Sequence, residues 1–263
     1  MRTFPLGRGA DFHREALVAL QEAEIPFLIG GAEALRHYTG IERETKVFEV
    51  LVRERDLEKA LVELQGRGFT AGVIFPHWLA KAHRGEAFID LVYRAGNGLC
   101  EVADDWFLGA PKTELLGVKV ALCPPERMIW QKAYIMERER YEGADVAHLL
   151  RSCAEEIDWP RLVALFGPDW RVLLTHLVLF GFVYPGERDA IPPQILGVLV
   201  QRLERERTNP APDERVCRGT LLSREQYLRD VECWDYRDAR LDERSSMTPD
   251  HIRDWTNAIA KDT

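Results

Sequence analysis

Phe27-Leu-Ile-Gly-Gly-Ala-Glu-Ala-Leu-Arg-His-Tyr-Thr-Gly-Ile-Glu-Arg-Glu-Thr-Lys-Val-Phe-Glu-Val-Leu-Val52 changes its hydrophobic period twice. Ile25 to Ile29 is a short apolar run that stops at Gly30-Gly31. Ala32 to Tyr38 has helical spacing, and Val47 to Val52 returns to a strand. Strand, glycine pair and helix together turn backbone N–H groups outward at a helix N-terminus, an arrangement suited to phosphate. The same pair also serves as a plain tight turn.

On the N-terminal side, Phe12, Ala16, Ala19, Leu20 and Ala23 make Ala10 to Glu24 an amphipathic helix with Asp11 as its cap. On the C-terminal side, Glu54 to Arg67 places Leu57, Leu61 and Leu64 on one face, and Ala87 to Tyr93 is a further strand. Glu114 to Leu116 and Val118 to Cys123 flank Gly117 as a hairpin. From Pro124-Pro125 onward the pattern is helical: Glu126 to Arg140, Asp145 to Glu156, Trp159 to Phe166, Trp170 to Phe182 and Ile195 to Glu206. From Glu204 to the end there are 14 acidic and 11 basic side chains. Within that tail, short amphipathic pieces cover Arg224 to Trp234 and Pro249 to Ile259. The expected organisation is an α/β domain over 1–123, a helical bundle over 124–207 and a charged extension over 208–263 that packs on the body.

The chain has 263 residues, 46% of them hydrophobic, enough for one large core or two modest ones. With 35 basic and 43 acidic side chains the net charge is −8, which argues against a general nucleic-acid coat and leaves small anionic ligands open. The five cysteines fall in no CxxC or Cys/His spacing, as expected of reduced thiols and of a cytoplasmic protein. The first residues lack the apolar core of a signal peptide, and Val172 to Tyr184 is too short to span a bilayer, so no membrane partner is expected. There is no GxSxG elbow, GxxxxGK[ST] loop or HExxH motif, which removes support for a serine hydrolase of that type, a P-loop NTPase and a histidine metal site.

Two further features narrow the reading. Arg43-x-Thr45-Lys46-x-x-Glu49 follows the glycine-headed helix, and Ile89-Asp90-Leu91 lies on a later strand. In the helical part, Lys132 is followed by Arg138-x-Arg140 and Asp145-x-x-His148. This order resembles the nucleotidyltransferase fold of the DNA polymerase β superfamily, and more narrowly the small prokaryotic nucleotidyltransferase-like proteins related to abortive-infection toxins. The resemblance covers about residues 25 to 150. It implies an α+β fold, a mixed sheet with flanking helices followed by a helical C-terminal domain.

It also implies three carboxylates for two magnesium ions, two of them two residues apart on one strand and a third on a neighbouring strand. Here the pair falls on Val47 and Glu49; valine cannot coordinate a cation, so the set is incomplete and only weak or single-ion magnesium binding is expected, through Glu49 and Asp90. Val47 and Glu49 should share one side of a strand, with Asp90 facing them from the next. Gly30, Gly31, Arg43, Thr45 and Lys132 are the expected contacts to an NTP. Lys132, on an apolar helical face, needs an anion in any case. If active, the protein would transfer a nucleoside monophosphate, through Glu49 and Asp90, to an acceptor such as RNA or protein. The rival expectation is an inactive nucleotide sensor or an interaction module of a toxin–antitoxin-like system.

Overall fold

The computed structural model describes residues 9–43 and 45–259 and divides into two compact units at Pro124/Pro125. The first unit is built from α1 (Ala10–Glu22), β1 (Phe27–Ile29), α2 (Gly31–Thr39), β2 (Glu49–Val52), α3 (Leu57–Gly66), β3 (Thr70–Phe75), β4 (Leu79–Arg84), β5 (Ala87–Val92), β6 (Lys112–Leu115) and β7 (Val118–Leu122). Its seven strands form one mixed sheet in the order β3-β4-β5-β2-β1-β7-β6. The pairs β2/β5 and β1/β7 are parallel and the others antiparallel. Ala80 and Ala82 of β4, Ile89 and Leu91 of β5, and Val50 of β2 are all fully buried. By strand alternation they share one face, which leaves the intervening residues of the same strands on the other. α1 packs against α3 and β5 on the strength of Phe12, Ala16, Leu17 and Leu20, all buried.

Two readings of this unit need correction. The strand at the motif begins at Glu49, not Val47. The Val47 N–H is taken by the Thr45 hydroxyl at 3.1 Å, a local turn bond that competes with the ladder, and Val47 is 42% exposed. The ladder to β5 starts one residue on, where the Phe48 carbonyl accepts from Asp90 N–H at 2.9 Å. Second, Thr70 to Arg84 forms two strands that the pattern analysis leaves out, because β3 is an edge strand with Val73 and Ile74 exposed and no clean alternation. The hairpin at Gly117 stands, two residues longer at its start.

The second unit contains α4 (Pro125–Ala133), α5 (Gly143–Cys153), α6 (Trp159–Phe166), α7 (Trp170–Val183) and α8 (Pro193–Arg207), then β8 (Val216–Cys217), α9 (Leu228–Cys233), β9 (Arg237–Asp238) and α10 (Pro249–Asn257). α4 packs on α5 and α6, α5 on α7, and α7 on α8. Asp158 caps α6 by accepting the Arg161 N–H, and Thr248 with His251 forms a reciprocal cap on α10. α4 stops at Ala133 instead of running to Arg140. The following residues fold back, with Glu142 N–H on Ile135 O and Met136 bridging Tyr141. Tertiary partners outweigh helix propensity there: Met136 N–H donates to Leu222 O, and Arg224 grips Glu137 at 2.8 Å. Trp159–Val183 is long and apolar enough by composition to cross a membrane, yet it is two helices separated by a turn at Gly167–Asp169. Its Trp159, Leu162, Phe166, Trp170, Leu173, Leu177 and Phe180 are core residues of the unit. All five cysteines are free thiols.

Candidate functional site

The sheet register assembles the site. Glu49 of β2 is paired with Asp90 of β5, and Asp90 is paired on its other side with Lys81 of β4. Directly opposite residues in a sheet project from the same face, so Lys81, Asp90 and Glu49 form one polar row across three adjacent strands. The row continues to the glycine turn after β1, where Gly30 N–H donates to Glu49 O at 3.0 Å. Glu49 and Asp90 are therefore one strand spacing apart, as the resemblance implies.

The glycine pair is shaped around Glu49. A Cβ on Gly30 would meet Glu49 Oε1 at 2.6 Å, and one on Gly31 would meet Glu49 Cβ at 3.0 Å. Gly31 also has φ +54°, a left-handed conformation that side chains resist. Gly31→Ala should therefore cost about 1–2 kcal/mol of stability from the backbone alone, with the Glu49 clash added. The urea midpoint measures it, and a loss within a few tenths of a kcal/mol would show that the turn relaxes freely.

The electrostatics of the row are set by burial and by one cation. Burial pushes the Asp90 carboxyl above its ordinary value, and Lys81 partly offsets this. Lys81 Nζ lies 3.2 Å from Asp90 Oδ1, an oxygen that is buried and makes no aligned hydrogen bond; the contact is an ion pair. The ammonium also sits 3.9 Å from the centroid of the Phe88 ring.

The donor set does not fit two metal ions. Val47 is aliphatic and lies off the strand, and among the described residues no three His, Cys, Asp or Glu side chains gather as a metal cluster. Glu49 and Asp90 leave room for one ion at most, and Lys81 already contends for Asp90.

Of the remaining expected contacts, two lie on the connection into β2 and one lies in the second unit. Arg43 and Thr45 are exposed on the connection between α2 and β2, and the Thr45 hydroxyl is engaged with Val47 N–H. Lys132, whose side chain is 13% exposed, belongs to the second unit, with its ammonium 2.5 Å from Glu142 Oε2 and 2.8 Å from Asp145 Oδ2. Its need for an anion is met there without a phosphate. A cavity of about 320 Å³ borders α2 and the β6/β7 hairpin, lined by Glu33, Arg36, His37 and Thr113 among others, and holds none of the row residues.

Lys81 is the member of the row that the motif order does not single out. Its signal was the alternation Ala80-Lys-Ala82, in which two small residues face the core and the lysine faces away.

No family model and no curated protein matches this chain. Among solved structures, it is similar to the antibiotic-resistance factor ANT(2'')-Ia, with 17% identity over 64% of this chain and 95% of that one, at a TM-score of 0.43. An antigenic nucleotidyltransferase-like protein from Paracoccidioides brasiliensis gives 18% identity over 70% and 93%, at 0.42. The lincosamide antibiotic adenylyltransferase LnuA gives 13% over 54% and 96%, at 0.38. At these values the likenesses assign this chain neither a family nor any residue's role.

Proposed function

We propose that this chain binds a nucleoside triphosphate as a nucleotidyltransferase-like protein whose capacity for transfer is slow or lost. The observation that carries this reading is the Glu49/Asp90 pair in register on adjacent strands, with the Glu49 carboxylate against the Gly30–Gly31 turn at the start of α2. In this reading the triphosphate lies at that turn, where backbone N–H groups and the helix N-terminus favour anions. Arg43 and Thr45 on the neighbouring connection supply further polar contacts. Magnesium is held as a single weak ion by Glu49 and Asp90, or not at all.

Any transfer would join an acceptor hydroxyl oxygen to the α-phosphorus and release pyrophosphate, with the hydroxyl proton passing to a carboxylate of the row. Asp90 suits that task because burial raises its affinity for a proton, while Lys81 beside it favours the ionised form that accepts one. The incomplete ligand set favours a second reading in the same site: a sensor that retains nucleotide and has lost chemistry, serving a protein partner.

Calorimetry with each of ATP, GTP, CTP and UTP, with and without magnesium, tests the proposal. Saturable binding of at least one, weakened in a charge-reversed Arg43→Glu variant, is expected. No binding by any of the four would overturn it. Labelled NTP with a cell extract as acceptor source then separates the two readings. Slow labelling lost in Asp90→Asn supports transfer, and binding without labelling supports the sensor. Val47→Asp is expected to restore little activity by itself, since residue 47 lies off the strand and Lys81 still holds Asp90.

A further inference from the structure

We infer that Lys81 is the resident cation of this site, its ammonium standing on Asp90 where a divalent ion would otherwise bind, so that nucleotide is taken up without a metal. The inference rests on the nucleotide-binding reading for its second half only; the claim about the cation stands on the row itself.

Three observations carry it. The register places Lys81 directly opposite Asp90 and on the same face, so no side-chain excursion is needed to bring them together. The ammonium is 3.2 Å from the buried Oδ1, within direct ion-pair range, and also lies 3.9 Å from the centroid of the Phe88 ring. Its side chain is 31% exposed and that of Asp90 only 13%, so the pair sits where water weakens the attraction only in part.

Charge completes the argument. Three carboxylates would present −3 to two doubly charged ions. Here Val47 contributes nothing, and Glu49, Asp90 and Lys81 sum to −1. A divalent ion arriving at Asp90 must displace or repel a tethered ammonium. The tether makes Lys81 effectively a cation at high local concentration, whereas a free ion pays the entropy of capture. A triphosphate, by contrast, meets a row that carries −1 in place of −3, so the repulsion that a bridging metal would otherwise offset is smaller.

The test uses the full chain, manganese as a paramagnetic probe, and ATP. Wild type should show only weak manganese binding by water-proton relaxation. Lys81→Met, which keeps the apolar stem over Phe88, should tighten manganese by about tenfold or more, since removing one nearby like charge is worth roughly a pKa unit. Lys81→Arg should leave it weak, and Lys81→Met combined with Asp90→Asn should erase the gain. In calorimetry, ATP affinity of wild type should change less than about threefold on adding EDTA, a difference too small to signal a bridging metal. Unchanged manganese affinity in a folded Lys81→Met, or loss of wild-type ATP binding in EDTA, overturns the inference. If ATP fails to bind under any condition, the nucleotide reading falls, while the manganese series still decides the role of Lys81.

Discussion

Lys132→Met should lower the unfolding free energy by about 3–5 kcal/mol, because it strands buried carboxylates without their cation. The ammonium touches both Glu142 and Asp145, whose side chains are 10% and 2% exposed. Glu142 retains Arg140 at 2.6 Å through a mostly exposed guanidinium. Urea unfolding at neutral pH measures the loss. A change below about 1 kcal/mol would place the pair with ordinary surface salt bridges and refute its structural role.

The pH dependence follows from the shifts. Burial alone would depress Lys132, but Glu142 and Asp145 outweigh it and raise its pKa above the usual lysine value. Its contribution is thus complete below that usual value and fades as pH rises through the higher, folded one. For Glu142, burial pushes upward, and Lys132 with Arg140 overcomes it to hold the carboxyl low. Its contribution is complete above the usual glutamate value and is lost as pH falls through the depressed one. The gap between wild type and Lys132→Met should therefore be flat from about pH 6 to 9 and shrink in acid. A gap that widens in acid would contradict this assignment.

The row of Lys81, Asp90 and Glu49 is legible in the sequence only in part. Glu49 and Asp90 could be found because strand period and motif order depend on neighbours in sequence, and their pairing needed only that the two strands be adjacent. The glycine pair announced a turn, though its close fit around Glu49 emerges only in three dimensions. Val47 was misplaced because a hydroxyl two residues back captured its N–H, a bond of a few local atoms that no hydrophobic pattern records. Lys81 was invisible for a different reason. Its significance lies in a cross-strand partner, and the strand that carries it follows an exposed edge strand with no readable alternation. That Lys132 needed an anion was evident from its apolar surroundings. That Glu142 would supply it was not, because α4 ends earlier than its helix-forming residues suggest and the chain folds back.

The second large effect is expected in the second unit. Asp238→Asn should destabilise the protein by about 3–5 kcal/mol, since Arg240 beside it is 1% exposed and has no route to water. Asp238 accepts from Arg240 Nη2 at 2.7 Å, from Nε at 3.1 Å on each oxygen and from the backbone N–H at 2.9 Å. Arg240 Nη1 is buried without a hydrogen-bond partner, so the guanidinium already bears an unmet donor. Removing the carboxylate charge leaves the cation uncompensated in the turn at Ala239–Leu241 that directly follows β9. Burial raises the Asp238 carboxyl, but the hydrogen bonds and charge of Arg240 prevail and hold it below the usual aspartate value. Its stabilising effect is therefore present above that usual value and is lost as pH falls through the lower, folded one. The decisive comparison is a double variant, Asp238→Leu with Arg240→Met. Buried ion pairs replaced whole by apolar side chains are often neutral or better, so the double variant should recover most of what Asp238→Asn loses. If it unfolds as readily as the single variant, the geometry of the bidentate bond matters more than the stranded charge. A melting curve at neutral pH for the wild type and both variants distinguishes these outcomes, because only a stranded charge is relieved by deleting its partner.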